Sequence, residues 1–258
     1  MIDRLANTGK VRQIFGEWQE TIIWSCLQGI MGEIYADDRK KPHSAAAVLG
    51  DFVFFAGEPK REFVINLSKA CRKDFVIMVP ENDGWGGMIE SSFGRKAKKV
   101  SRYAIKKEPQ IFDEENLKRI IRTLPDGYEL RMMDEESYNQ CRSQEWSRDL
   151  VAQYKDYGTY KKLGLGAVIL EKGRVVSGAS SYSTYGEGIE VEIDTYGPYR
   201  RKGLACVCGA RLILECCRRN LYPSWDAQNR WSVSLAEKLG YHYSHEYIAY
   251  EVWKKETN

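Results

Sequence analysis

The sequence predicts a mixed α+β fold built in two halves, each with a sheet and flanking helices. Three patterns carry that expectation. Ile189, Val191 and Ile193 alternate with Glu190, Glu192 and Asp194, which is the period of a strand. From Gly203 to Asn220 the period becomes helical, with Leu204, Cys208 and Leu212 on one stripe and Val207, Ala210, Leu214 and Cys217 on the next. So wide an apolar face belongs to a helix laid on a sheet. Turn signals such as Glu171-Lys172-Gly173-Arg174 join neighbouring β-like runs into a hairpin.

The elements come in this order. Ile14, Trp18, Ile22, Cys26 and Ile30 recur at i+4 and predict one helix from about Val11 to Met31. Gly32 to Asp37 and Ala45 to Ala56 read as strands around the basic turn Arg39-Lys40-Lys41-Pro42. A helix over Arg61 to Lys69, a strand over Asp74 to Val79 and a turn at Asn82-Asp83-Gly84 come next. Residues 95–107 are rich in Lys and Arg without an acid, and Val100, Arg102, Tyr103 and Ile105 suggest an exposed strand near a sheet edge. A helix begins at Asp113 and runs to about Thr123. Leu124-Pro125-Asp126-Gly127 is then a strong turn signal, so the expected halves are residues 1–126 and 127–258.

The second half reads more plainly. Tyr128 to Met133 is a strand, and Glu135 to Gln144 and Ser147 to Lys162 are helical. Gly164 to Leu170, Val175 to Tyr185 and Ile189 to Thr195 are strands. After the apolar helix come a short strand from Tyr222, a helix from Asn229 to Leu239 stopped by Gly240, and a last strand from Tyr241 to Trp253. Each half thus reads helix, hairpin, further strand, which hints at duplication.

Composition narrows the function classes. The chain has 258 residues, 43% of them hydrophobic and 29% charged, which excludes a disordered or collagen-like protein. Its 39 Lys and Arg against 36 Asp and Glu leave a net charge of +3, too small an excess to announce a nucleic-acid or membrane-surface binder. No run approaches the roughly 18 apolar residues of a membrane span, and the start has no signal-peptide stretch, so a cytoplasmic location is expected. The seven cysteines form no C-x-x-C pair and four lie in the apolar helix, which predicts buried reduced thiols and no metal site.

The chemistry concentrates where the acidic strand ends. Tyr196 to Lys202 form a short loop rich in cations and glycine, and the apolar helix comes directly after it. A helix start leaves N–H groups unpaired and carries partial positive charge, so it is an anion site in waiting. Gly203 has no Cβ to block an approaching phosphate, and Arg200, Arg201 and Lys202 add charge. These features predict a site for an anion of pyrophosphate size. The loop fits neither the Walker pattern nor G-x-G-x-x-G.

Arg200-x-x-Gly203-x-Ala205 resembles the [QR]-x-x-G-x-[GA] signature of the GCN5-related N-acetyltransferases (GNAT), and Asn229-x-x-Ser232-x-x-Leu235-Ala236-Glu237-Lys238-Leu239-Gly240-Tyr241 resembles that family's later segment. The combined run is similar to a bacterial subfamily that includes zwittermicin-resistance-type acetyltransferases. The resemblance implies a GNAT fold with a mostly antiparallel central sheet flanked by helices, preceded by a degenerate GNAT-like half that shapes the substrate cleft. It implies an N-acetyltransferase using acetyl-CoA, with coenzyme A as product and a small-molecule amine as acceptor. Membrane and nucleic acid are not the expected partners, and the oligomeric state is open, a homodimer included. Pantetheine would pair near Ile193, Asp194 and Thr195. Amides of Arg201, Lys202, Gly203, Leu204 and Ala205 would hold the pyrophosphate, and Asn229 and Ser232 would touch the pantetheine or adenosine side.

An attacking amine must shed a proton, so a carboxylate is needed near the thioester. Glu192 and Asp194 are the first candidates and Glu190 the third. Ala236 stands where many members have a Tyr that protonates the leaving thiolate. Ser232, Tyr241 or Tyr243 are the substitutes the sequence offers. Two other readings stay open: an acyl-CoA-binding module without catalysis, and a tandem aminoacyl transferase that takes charged tRNA, favoured by the basic run at 95–107.

Overall fold

The computed structural model describes residues 2–71 and 73–253. It holds two compact units, Met1–Arg102 with Glu246–Asn258, and Tyr103–His245. Chain order gives β1 (Asp3–Leu5), α1 (Arg12–Phe15), α2 (Thr21–Gln28), β2 (Glu33–Ala36), β3 (Ser44–Leu49), β4 (Phe52–Gly57), α3 (Arg61–Ala70), β5 (Phe75–Pro80), α4 (Asp83–Phe93) and β6 (Ala97–Ile105). After α5 (Glu114–Ile121) come β7 (Tyr128–Met132), α6 (Glu135–Ser143), a 3-10 turn at Glu145–Leu150, α7 (Tyr157–Leu163), β8 (Gly166–Glu171), β9 (Arg174–Tyr185) and β10 (Gly188–Thr195). The chain ends with α8 (Leu204–Arg218), β11 (Tyr222–Ser224), β12 (Asp226–Ala227), α9 (Arg230–Lys238) and β13 (Tyr243–Trp253).

The order strand, two helices, three strands, helix, strand, helix, strand therefore occurs twice, from β1 to β6 and from β7 to β13, apart from the two-residue β12. Pairing repeats as well. β1, β2, β3 and β4 are successively antiparallel and β4 is parallel to β5; β7, β8, β9 and β10 are antiparallel and β10 is parallel to β11. The duplication hinted at by the sequence is thus present in the backbone. In the first unit the end of β13 lies antiparallel to β5, so the chain's last strand completes the sheet of its first repeat.

Each unit has its own core. In the first, Phe55, Phe63 and Trp85 are buried, with Phe55 and Trp85 ring centroids 5.2 Å apart, and the indole N–H donates to the carbonyl of Gly57 at 3.1 Å. In the second, α8 packs Leu204, Val207, Cys208 and Leu212 over Ala167, Ile169, Ala179, Ile189 and Val191. Gly209 permits the close fit, since a Cβ there would stand 2.7 Å from Leu239 Cδ1. Leu117 is fully buried in the same cluster and Leu124 packs against it. The compact division therefore lies at Arg102/Tyr103, while the Leu124–Gly127 turn taken as the boundary is internal to the second unit.

Several elements depart from expectation. Val11–Met31 is two helices, because Gly16 adopts φ 55° and ends α1. The run 45–56 is a hairpin reversed at Gly50, whose φ is 59°. Asn82 begins α4, its side chain accepting from the Trp85 N–H, so the turn-like Asn-Asp-Gly is an N-cap. The basic segment does form β6, and its charges find acids: Lys98 lies 3.4 Å from Glu251 and Lys99 3.9 Å from Glu90. Four cysteines do lie on α8, with Cys208 and Cys216 fully buried; Cys206 is half-buried and Cys217 exposed.

Glu215 of α8 is buried among Arg211, Arg218 and Arg219, at 3.7, 2.5 and 2.9 Å. Hydrogen bonding to Arg218, opposed by burial and reinforced by Arg219, lowers its pKa to about 2. A lowered folded-state pKa stabilises the fold above the unfolded carboxylate value and is lost as pH falls through the folded one. The unfolding free energy should therefore decline between about pH 5 and 2, by roughly 2 kcal/mol from this group once screening of the exposed arginines is discounted. Denaturant unfolding across that range should show a shallower decline for Glu215→Gln.

Candidate functional site

The site starts from an interrupted strand pair. β10 and β11 are matched only at Gly188–Tyr222, Ile189–Pro223 and Glu190–Ser224. From Val191 to Thr195 the recorded partner of β10 is β9 alone, so its other edge faces away from β11. Next to this fork β9 carries one extra residue, since Ser183 faces Glu190 while Ser181 faces Val191. The first unit offers the contrast. There β4 and β5 stay matched from Phe52–Ile77 to Phe55–Pro80, and the Glu81 N–H still donates to the Phe55 carbonyl beyond.

After Thr195 the chain makes a 3-10 turn at Gly197–Tyr199 and enters α8. Gly203 is the N-cap at φ 81°, so the first turn of α8 has no side-chain cap. A Cβ built on Gly203 would meet nothing within 4 Å, which leaves an open cradle over unpaired N–H groups. Arg201 at φ 63° and Lys202 are exposed beside it, the Lys202 ammonium lying 4.7 Å from the Tyr199 ring centroid. Arg200 behaves differently from its neighbours. Its Nε donates to the Thr195 carbonyl at 3.1 Å and its Nη2 lies 3.4 Å from Asp194, so it pins the strand end to the loop. Leu204 is buried in the α8 core and Ala205 is half-buried.

The three strand carboxylates occupy different surroundings. Asp194 Oδ1 accepts from the Thr195 N–H at 2.6 Å and pairs with Arg200; burial nonetheless raises its pKa above the ordinary carboxylate value. Glu192 is half-exposed and stands opposite Ser180, while Glu190 is buried at the fork. The 3-10 turn at Glu145–Leu150 lies over this end of the sheet. Gly178, opposite Asp194, lets it approach, since a Cβ there would come 2.7 Å from Leu150 Cδ1. Trp146 at its start lies 5.7 Å from the ring of Tyr196, which is 44% exposed.

Residues expected on the coenzyme side also have local duties. Asn229 caps α9 by accepting from the Ser232 N–H at 3.0 Å, and Ser232 Oγ accepts from the Trp225 indole at 3.0 Å. Ile193 packs against α8, and Thr195 Oγ1 shares a hydrogen bond with Ser177 Oγ at 2.8 Å; what both leave toward a ligand is backbone. Ala236 is fully buried. Tyr241 is poorly placed as a substitute acid: it is buried, its hydroxyl donates to the Pro223 carbonyl at 2.6 Å, and burial raises its pKa well above the usual value.

Sequence reasoning missed Ser183, Ser224 and Trp146 as neighbours of the site. Nothing local marks them, since the register and the 3-10 turn bring them together. In the first repeat the equivalent helix start comes after Gly57-Glu58-Pro59-Lys60. There the Gly57 N–H donates to Glu81, and Lys60 is held by Asp37 at 2.6 Å. Cations stand at this helix start too, but Lys60 is paired with an acid, whereas Arg201 and Lys202 are exposed.

A model of the GNAT acetyltransferase family matches residues 12–250. The chain is 27% identical over 245 residues to the uncharacterized N-acetyltransferase YdfB of Bacillus subtilis (strain 168), covering 89% of each. A GCN5-related N-acetyltransferase-like protein from Streptococcus suis 89/1591 superposes with a TM-score of 0.90 at 46% identity, over 95% of this chain and 98% of that one. A tandem GNAT protein from the clavulanic acid biosynthesis pathway, at 8% identity, superposes at 0.51 over 100% of this chain and 99% of its own, a likeness of fold alone. The fold is accordingly a mixed α+β GNAT fold with two mostly antiparallel sheets.

Arg200 lowers the Asp194 pKa against the effect of burial. Arg200→Gln should therefore move the Asp194 titration to higher pH, read by carboxyl carbon NMR with Asp194→Asn as the assignment control.

Proposed function

The chain belongs to the GNAT acetyltransferase family, whose members typically use acetyl-CoA, and we propose that this N-acetyltransferase moves an acetyl group from acetyl-CoA to an amine of a small molecule by direct attack, with coenzyme A released. The observation that carries the reading is the fork. A strand edge freed from its neighbour runs directly into an uncapped, glycine-started helix with exposed cations.

The chain's own groups would divide the work. Unpaired N–H groups at Gly203, Leu204 and Ala205, with Arg201 and Lys202, would receive the pyrophosphate. The backbone of Ile193, Asp194 and Thr195 would pair with the pantetheine amides as a third strand would. Arg200 would act by fixing the loop to the strand. Asn229 and Ser232 would set the far wall through the start of α9. One of Glu190, Glu192 and Asp194 would take the proton the amine must lose. A tyrosine acid is absent from position 236, and a thiolate leaves without one, only more slowly. The Ser232 hydroxyl already accepts from Trp225 and keeps its own proton to give, which makes it the better substitute.

The first repeat would bind no coenzyme, since its strand pair is closed and the Gly57 N–H at the end of β4 already donates to Glu81. The acceptor class is open within small amines. Likeness to the zwittermicin-resistance-type subfamily is part of this proposal and adds amine antibiotics to polyamines and amino acids in a screen for thiol release.

Two experiments bear on this reading. Calorimetric titration should give one acetyl-CoA per chain, and Gly203→Asp should weaken binding by more than about tenfold, or 1.4 kcal/mol. Unchanged affinity in the folded variant would refute the cradle, and two sites per chain would refute the silent first repeat. Among Glu190→Gln, Glu192→Gln and Asp194→Asn, the variant that removes the base should lower turnover by about 10²- to 10⁴-fold, with acetyl-CoA affinity little changed and the loss shrinking as pH rises.

A further inference from the structure

Two buried hydroxyls at the fork have no duty in holding coenzyme or in the packing of the core. Glu190 is paired across β9 with Ser183 and across β11 with Ser224, on the last matched rung before β10 and β11 part. Residues paired in this way project from the same face of neighbouring strands, so the two serines flank the Glu190 side chain. Both serines are wholly buried. No protein group among the described residues lies within hydrogen-bond reach of either Oγ. Buried hydroxyls are almost always satisfied, and a polar niche with several donors and acceptors is the kind of place that holds an ordered water.

We propose that Ser183 and Ser224 are positioning residues that hold a water against Glu190 at the fork, and that this water passes the acceptor's proton to Glu190. The inference deepens the acetyl-CoA reading and rests on it. The geometry selects Glu190 among the three carboxylates for two reasons. Asp194 is already tied to Arg200 and to the Thr195 N–H. Moreover, an arm that starts at the Gly203 cradle and runs back along the free edge from Thr195 to Val191 covers about 13 Å, at roughly 3.3 Å per strand residue, which brings its far end to the fork.

The proton balance is simple. The acceptor ammonium gives one proton to the water, and the water gives one of its own to the Glu190 carboxylate. The freed amine lone pair then attacks the thioester carbonyl, and the C–S bond breaks with its electrons on sulfur. The second amine proton goes to the thiolate, so coenzyme A leaves as the thiol. The other titratable groups around this niche are phenols, a thiol and two carboxylates. Burial above all raises the pKa of Tyr185, Tyr222 and Tyr241, the Glu190 charge adding to each, and the Cys216 thiol of α8 borders Tyr185 and Tyr241. Glu187 also borders Tyr185, and Glu108 borders Tyr222.

The test uses the full chain with Ser183→Ala and Ser224→Ala, singly and together, beside Glu190→Gln. Turnover is read as thiol release from acetyl-CoA with the amine that responds most strongly in the panel. The double variant should lose at least about tenfold in kcat, while its KM for acetyl-CoA stays within about twofold. Its acidic limb of kcat/KM should move to higher pH, because a carboxylate stripped of its water ionises less readily. Its Tm should fall or hold, as hydroxyls already bonded to water are lost. Full turnover with an unmoved limb overturns the relay. A raised Tm overturns the water site, since removing hydroxyls that truly lack partners stabilises a fold. Wild-type protein that binds no acetyl-CoA and acetylates no amine would sink the functional reading, and the Tm comparison would then decide the water site alone.

Discussion

A strand edge inside a sheet must give its N–H and C=O groups to something, and the second unit is organised around one such edge. β10 shares only three residues with β11 before its neighbour leaves it. The two strands part because they lead to different places. β10 continues into a loop that must turn back over the sheet to start α8, while β11 is three residues long and passes at once toward β12 and α9. The open edge therefore ends at a helix start that has no side-chain cap and two exposed cations beside it. Edge and helix start are both incomplete as protein, and the proposed coenzyme, extended, anionic and amide-bearing, would complete both.

The two repeats show how far the same backbone plan can diverge. Both run four antiparallel strands and then a parallel one, with a helix crossing between the last two. In the first repeat the parallel pair is matched through four residues and is bordered by β13, so it has no free edge. Glu81 bonds the Gly57 N–H, and Lys60 is held by Asp37. These groups satisfy the strand end and the cation that precedes α3 from within the protein. The surrounding core is built on Phe55, Phe63 and Trp85.

Charge within the second unit is sorted by a few ångströms. The cations stand at the helix start, and the carboxylates line the strand that leads to it. Arg200 links the two by holding Asp194 and the Thr195 carbonyl together. With Asp194 committed to that link, the strand's other two carboxylates differ by depth: Glu192 is half-exposed and Glu190 is buried at the fork. Trp146 and Tyr196 stand at the other end of the strand, their ring centroids 5.7 Å apart.

Much of this was legible in the sequence because it is local. The alternation from Ile189 to Thr195, the wide apolar face of α8 and the Arg200-x-x-Gly203-x-Ala205 run each fit within a dozen or so residues, and period and glycine chemistry are properties of neighbours. The same locality caused the errors. Gly16 broke a helix that i+4 spacing joined, Gly50 reversed a run that looked like one strand, and Asn82 proved to be a cap because Trp85 supplied an N–H. Register and the choice of partner came from tertiary packing instead. Glu190 meets Ser183 and Ser224 only because β9 and β11 flank β10, and Leu117 ties the segment after residue 102 to α8 across scores of residues. Even the short reach of Arg200 back to Asp194 needs the loop between them to be folded over the strand end. Such pairings are fixed by the packing of whole strands and helices, which no window of the sequence contains.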